Sequence, residues 1–511
     1  MSGANLASLI DGPARALSRA PAVVLGDEVR RDWAGFARAV AARAGALRGT
    51  YGTTPGDSVG LFASNCPEYL EALFSVWHAG GVAVPISSRL HVREAGDLLD
   101  AAHAGVCFVT PDLADDLEAS APDGTRLIVL GSPADAAAAQ ADPIAPVARR
   151  PDDDAWIFFT SGTTGRAKGA RLSHANLWAM TAAYYADVSP LGPHDAIIHI
   201  ASLSHASGLM ALPFIGRGAA QVLPASGRFD AAELIDLIGA GARSTFFVPP
   251  TLLRRLCAAP QVQSIVADQI GTVLVGAAPV RPDDLREGVA RLGPCLWNGY
   301  GQGESPCTIT AMSMESIRLA VATGDDARLG SVGSARWGTR VRVVGEDDRE
   351  LAPGEVGEVV VDGPTVMSGY LDRPDETSHA LRGGWLHTGD LGSFDTHGHL
   401  TLVDRVKDVV ITGGYNVYPR EVEDVLLAHP SVADVAVLGL PDPEWGERVA
   451  AFVVASAGAT LDTDALDALC LERIARHKRP TSYHVVSELP RNAAGKVLKK
   501  ELREGVADGA R

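Results

Sequence analysis

The chain has 511 residues, 46% of them hydrophobic, and a formal net charge of −17. That length can bury more than one core, which argues for several domains, while the acidic balance argues against a nucleic-acid partner. No stretch reaches the about 18 uninterrupted apolar residues of a spanning helix, and residues 1–22 lack the basic start and apolar run of a secretory leader, so a soluble, cytoplasmic protein is expected.

The predicted elements begin with helical apolar spacing from Pro67 to His78, stopped by Gly80 and Gly81. Strand-like apolar runs follow at 106–109, 127–130, 156–159, 197–200, 245–248 and 272–275, alternating with helical patterns. This alternation predicts α/β layers around mainly parallel sheets. The Ala-rich stretch 132–142 reads as a surface helix or loop. From 325 to 403 the texture changes to short strands and turns, as at 341–344 and 356–361, which predicts a small antiparallel barrel or sheet. Beyond 404 an α+β unit follows. It has a helix near Pro419 with Val422, Val425 and Leu426 on one face, strands at 433–440 and 449–455, a helix at 463–477 and a strand at 483–486. Cys66, Cys107, Cys257, Cys295, Cys307 and Cys470 show neither CxxC pairing nor zinc spacing, so they read as reduced, mostly core thiols.

The segment Thr160-Ser161-Gly162-Thr163-Thr164-Gly165-Arg166-Ala167-Lys168-Gly169 carries the most chemistry. It follows the apolar run 156–159, which reads as a buried strand, and leads toward a helix containing Asn176, Leu177, Trp178 and Met180. Three glycines open backbone shapes closed to other residues, and four hydroxyls with one lysine can surround phosphate oxygens. A GxxxxGK[ST] loop starting at Gly162 would need Gly at 167 and Ser or Thr at 169. The chain has Ala167 and Gly169 there, so the ordinary kinase or GTPase loop is excluded. A flexible Gly/Ser/Thr linker is the competing reading.

The TSGTTGxxKG pattern resembles the phosphate-gripping loop of the adenylate-forming (ANL) superfamily, which holds acyl-CoA synthetases, peptide-synthetase adenylation domains and beetle luciferases. Further blocks stand in that family's order: Gly276-Ala277-Ala278-Pro279, Tyr300-Gly301-Gln302-Gly303-Glu304, Trp385-Leu386-His387-Thr388-Gly389-Asp390, Asp404-Arg405-Val406-Lys407-Asp408 and Pro490-Arg491-Asn492-Ala493-Ala494-Gly495-Lys496. The resemblance covers essentially the whole chain. It implies an α/β fold with a large N-terminal domain over 1–403, made of layered subdomains plus a small β-rich one at 325–403. A hinge at 404–407, centred on Lys407, and a small mobile α+β domain over 408–511 complete the expected layout.

By the same resemblance, the 160–169 loop, with Lys168, grips ATP phosphates. Glu304 and Thr160 serve Mg²⁺, and a carboxylate is a hard oxygen ligand suited to that ion. Gly276, Ala277 and Ala278 wall the adenine, with Tyr300 stacking on its other face, and Gly301 and Gln302 also belong to the nucleotide site. Asp390 accepts from the ribose hydroxyls, with Arg405 beside it. Lys496 bridges the acid's carboxylate and the α-phosphate, a meeting of two anions that needs a positive charge. Gly413, Gly414 and Tyr415 line the tunnel for the pantetheine of coenzyme A. His205 resembles the histidine that closes the acyl pocket, although Ser204 stands where many relatives carry an aromatic, and a merely structural histidine is an equal reading. His199 and His205 have no carboxylate at zinc-site spacing. Gly303 stands where relatives commonly carry a threonine that reaches the α-phosphate.

The function implied is an ATP- and Mg²⁺-dependent ligase joining an apolar acid (fatty, alicyclic, terpenoid or aryl) to CoA through an acyl-AMP. Segments 199–209, 246–252, 276–278 and 299–310 are the expected pocket lining and carry few charges. The alternatives are a stand-alone ligase that loads a carrier-protein pantetheine and a non-catalytic acyl- or nucleotide-binding protein. The expected partners are the acid and CoA, with no nucleic acid and no membrane span; a homodimer is compatible with the sequence.

Overall fold

The computed structural model describes residues 4–160, 167–491 and 497–509. The chain forms two compact units: Met1–Val341 with Val361–His387, and Arg342–Val360 with Thr388–Arg511. This grouping differs from a division at 404–407, because 342–360 and 388–403 cluster with the C-terminal segment. The antiparallel strands Leu386–Phe394 and Leu400–Arg405 pair Asp390 with Arg405 and Leu391 with Asp404, which holds residues on both sides of 404 together.

Two sheets organise the first unit. A seven-stranded sheet runs in the order Gly369–Tyr370, Lys168–Ser173, Asp154–Thr160, Val82–Ser87, Ser58–Ala63, Val106–Val109, Arg126–Val129. Its last five strands are parallel, as the buried apolar runs predicted. A nine-stranded sheet contains the parallel strands Asp195–Ile198, Arg243–Val248, Ile270–Val275 and Leu296–Gln302. The strand Lys168–Ser173 was not anticipated between the phosphate loop and its helix. Its small residues mask the alternation that buries Ala170 and Leu172, and the helix begins only at His174, capped by the Ser173 side chain on the Asn176 amide.

The Pro67–His78 helix is buried almost all round. Its Glu71 is only 1% exposed and pairs with Arg43 and Arg31, while Arg43 also bonds both oxygens of Asp135 at 2.8 and 2.9 Å. Removing one partner would strand a buried charge, a cost of roughly 3–5 kcal/mol. The Ala-rich stretch is thereby tied inward, as the helix Pro133–Ala138.

A four-stranded sheet, Arg340–Val344, Gly357–Asp362, Leu386–Phe394 and Leu400–Arg405, is built mostly from the second unit's residues and supplies the predicted β texture. The rest of that unit is a five-stranded sheet around Val432–Asp442 and Gly446–Ala455. The Pro419–Leu427 helix lays Val422 and Leu426 on its core. The later helix ends at Arg473, short of the expected 477, because Ile474 turns extended and packs against that core.

Candidate active site

The segment expected to grip phosphates begins at Thr160, the end of strand Asp154–Thr160. Strand pairing brings Thr160 opposite Lys168 and Phe159 opposite Gly169, where a Cβ would come within 2.7 Å of Ile157 Cγ2. Gly169 is therefore required by close approach. Ser161, Gly162, Thr163, Thr164 and Gly165 lie outside the described residues. Lys168 Nζ sits 4.0 Å from Glu376 Oε1 and 5.3 Å from the centre of the Tyr370 ring.

Glu304 reaches Thr160 from another sheet. Strands Leu296–Gln302 and Ser305–Met312 form a hairpin in which Gln302 pairs with Ser305, leaving Gly303 and Glu304 as its turn. Glu304 is 8% exposed. Its Oε1 accepts from the Tyr370 hydroxyl at 2.9 Å and the Thr160 hydroxyl at 3.1 Å, the latter closer than the 3.5 Å from Thr160 to the Lys168 carbonyl. Its Oε2 has no partner among the described residues. A carboxylate held on one oxygen, with the other open and a threonine oxygen beside it, fits a hard cation such as Mg²⁺. Burial, with the Glu304 charge opposite, pushes the Tyr370 phenol well above its ordinary range, so it stays a donor.

The expected adenine wall lies at the carboxyl ends of adjacent parallel strands, where open α/β sheets place ligands. A Cβ on Gly276 would stand 3.0 Å from the Gly299 carbonyl and 3.3 Å from the Phe247 ring. Ala277 adopts φ 66°, a left-handed conformation uncommon for alanine, and it and Ala278 are exposed. Tyr300 is buried in the next strand. Gly301 tolerates no Cβ, which would fall 2.5 Å from the Cys307 amide nitrogen. Of the apolar residues expected to line an acyl pocket, Phe246 and Val248 belong instead to the hydrophobic core, because strand alternation turns them from Phe247.

His205 precedes a buried helix, Ala206–Gly216. Its Nδ1 is 2.8 Å from Ser204 Oγ, itself 2.8 Å from Ser202 Oγ, so the serine found in place of an aromatic engages the imidazole. Burial, with Arg89 nearby, lowers its pKa and favours the neutral ring. His199 lies apart, enclosed between Ser207 and Gln221, and is structural.

In the second unit Asp390, 6% exposed, accepts from Arg405 Nε at 2.9 Å. Thr388 Oγ1 accepts from the Asp390 amide at 3.1 Å and donates to the Val359 carbonyl at 2.7 Å. Lys407 is exposed. Gly413 and Gly414 form a tight turn at φ 56° and 81°. Tyr415 is 59% exposed, with its ring 4.8 Å from that of His477. Lys496 lies outside the described residues. Sequence reasoning missed Phe158, Tyr370 and Glu376. Of these, Tyr370 sits on a two-residue strand too short to carry any periodic signal.

The sequence pattern of the AMP-binding enzyme family matches residues 12–371, and that of the AMP-binding enzyme C-terminal domain matches 421–496. A feruloyl-CoA synthase of an Amycolatopsis species is 37% identical over 473 residues, 92% of this chain and 93% of that one. ATP-bound MatB from Rhodopseudomonas palustris superposes with a TM-score of 0.89 at 30% identity, covering 99% of this chain and 100% of that one. The o-succinylbenzoate CoA synthetase of Bacillus subtilis, solved with its acyl-adenylate intermediate, gives 0.86 at 27% identity over 97% and 98% of the two chains. Among the described residues no helix is long and apolar enough to cross a membrane.

Proposed function

The chain belongs to the AMP-binding enzymes, and from that premise we propose that it activates an apolar carboxylic acid as acyl-AMP and passes the acyl group to CoA. It is an AMP-forming acid–thiol ligase. In the first half-reaction an acid oxygen bonds to the α-phosphorus of ATP, and the bond to the β-phosphate oxygen breaks, releasing pyrophosphate. In the second, the CoA sulfur bonds to the acyl carbon, the thiol gives up its proton and AMP leaves.

The observation that carries this reading is Glu304, with one oxygen held by two hydroxyls and the other open, beside Lys168 at the end of the phosphate loop. Thr160 and Glu304 Oε2 would hold Mg²⁺, which offsets phosphate charge when bound. Lys168 adds positive charge at the phosphates, and Lys496 is assigned to the meeting of carboxylate and α-phosphate. Asp390 would accept from the ribose hydroxyls. The few charges in the expected lining segments support an apolar acid, since a second carboxylate would need a buried counter-charge.

A panel of carboxylic acids, scored for pyrophosphate release with and without CoA, tests this reading. Acid-dependent release plus CoA-dependent thioester is expected. Release without any CoA-dependent thioester would shift the acceptor to a carrier-bound pantetheine, and no release with any acid would reject the ligase reading.

The two half-reactions need different groups at one centre, so the reading includes a backbone rotation at Lys407 that exchanges Lys496 for Gly413 and Gly414. Lys407→Pro, which fixes φ near roughly −65°, is expected to spare one half-reaction and stop the other. Lys407→Ala, which removes only the charge, should retain both. Equal loss of both half-reactions in both variants would make Lys407 a binding charge and not a hinge.

A further inference from the structure

Strand alternation sends Phe158 and Thr160 to the same face of Asp154–Thr160, about 7 Å apart. Thr160 ends that face with its hydroxyl on Glu304. Phe158 presents a half-buried ring whose centre lies 5.5 Å from that of His205, edge to face at 84°. Gly303 lies against this ring. A Cβ there would fall 2.5 Å from Phe158 Cδ1 and 2.7 Å from Thr160 Cγ2. The backbone does not demand glycine, because Gly303 is outside the left-handed region; its neighbours do. The phenyl ring occupies the space that a side chain at 303 would need.

The surface therefore runs from two oxygen-bearing groups, Thr160 and Glu304, to two rings, Phe158 and His205. With Thr160 and Glu304 given to Mg²⁺ and the ATP phosphates, an acid whose carboxylate meets the α-phosphate beside them would lay its first carbons on the Phe158 ring. We propose that Phe158, admitted by the absence of a side chain at Gly303, is a specificity-determining residue that selects acids planar or unbranched at the carbon next to the carboxylate. The ring fills the volume that a substituent on that carbon would take, and a close-packed wall rejects an added methyl by about tenfold or more. This inference rests on the ligase reading above.

The test compares pyrophosphate release for matched acids, octanoic against 2-methyloctanoic and cinnamic against α-methylcinnamic. The proteins are the wild type, Phe158→Ala, Gly303→Ala and the double variant, with Phe158→Leu in reserve should the alanine variant fail to fold by thermal melting. The wild type should prefer the unsubstituted acid of each pair, and Phe158→Ala should shrink that preference about tenfold. Gly303→Ala should lower kcat/KM for every acid by tenfold or more, and Phe158→Ala in the same chain should restore the part due to the ring while the Thr160 Cγ2 contact remains, a non-additivity that separate roles would not give. The inference is overturned if the wild type shows no such preference, if Phe158→Ala lowers both acids of a pair equally, or if the double variant loses the product of the single losses. A wild type that turns over acids with an unchanged ratio in Phe158→Ala sinks this inference alone. A wild type that fails to release pyrophosphate with any acid of the broad panel sinks the ligase reading, and this inference with it.

Discussion

Glu304 in the first unit and Asp390 in the second are carboxylates of nearly equal burial, 8% and 6% exposed, with opposite kinds of partner. Glu304 is held by two neutral hydroxyls, from Thr160 and Tyr370. Asp390 is held by the guanidinium of Arg405. A carboxylate fixed by neutral donors keeps its whole charge for a cation, whereas one paired with arginine has much of it neutralised and is better suited to accept hydrogen bonds from an uncharged ligand. Nearly equal burial is thus compatible with two different tasks, and the partners decide which task each carboxylate suits.

The largest expected effect tests whether the second unit supplies charge to the chemistry at all. On the proposed role, in which its charge acts only where carboxylate meets α-phosphate, Lys496→Ala should lower acid-dependent pyrophosphate release by about a thousandfold or more. Reaction of preformed acyl-AMP with CoA should continue. Normal pyrophosphate release from the purified variant would remove Lys496 from the site.

Glu304→Gln goes to the centre of the comparison. Size and hydrogen bonding are kept while the charge is lost, so a fall of about a hundredfold is expected, partly recovered at raised Mg²⁺. Asp390→Asn should raise the KM for ATP and gain nothing from added Mg²⁺. Equal rescue of both variants by Mg²⁺ would erase the distinction between the two carboxylates.

The two carboxylates were legible in the sequence for one reason and their partners illegible for another. Glu304, Asp390 and Lys168 stand within contiguous blocks whose glycines mark tight backbone, and the parallel strands showed as apolar runs such as 106–109 and 273–275. Tyr370 bonds Glu304 from 66 positions away, through a two-residue strand with no pattern of its own. Phe158 looked like one more apolar strand residue, because only the folded chain sets it against Gly303. The apolar runs also misled. Phe246 and Val248 read as pocket lining, yet alternation sends them into the core, and three consecutive apolar residues, Phe246, Phe247 and Val248, do not reveal which face is which.

Tyr370→Phe sharpens the role of the neutral donors. It deletes one hydroxyl from Glu304 and leaves the ring under Lys168. Losing one hydrogen bond to a charged acceptor costs about 1.5–3 kcal/mol, here reduced because Thr160 still holds the same oxygen. A three- to tenfold fall in kcat/KM is expected, with a higher Mg²⁺ requirement. An unchanged Mg²⁺ requirement would leave Tyr370 a packing residue.

The smallest expected effect separates the two units by acid. In the first, burial pushes His174 and His199 down to about 4, and His199 is fully enclosed between Ser207 and Gln221. The second unit's His484 is lowered too, but it is only half-buried. The unfolded chain protonates such a histidine near its ordinary pKa of about 6.5, and the folded chain does so only near 4. Between those values the unfolded state binds the extra proton, so stability falls as pH drops from 6.5 to 4 and levels off below. Each of the two enclosed histidines contributes up to roughly 3 kcal/mol to that loss. Thermal melts followed over pH 7.5 to 4 should show the first unit weakening ahead of the second. His199→Gln can keep amide bonds to Ser207 and Gln221 but does not titrate, so its melting temperature should start lower at pH 7.5 and fall less steeply through the acid range. Parallel curves for the wild type and His199→Gln would show that His199 is not held neutral by the fold.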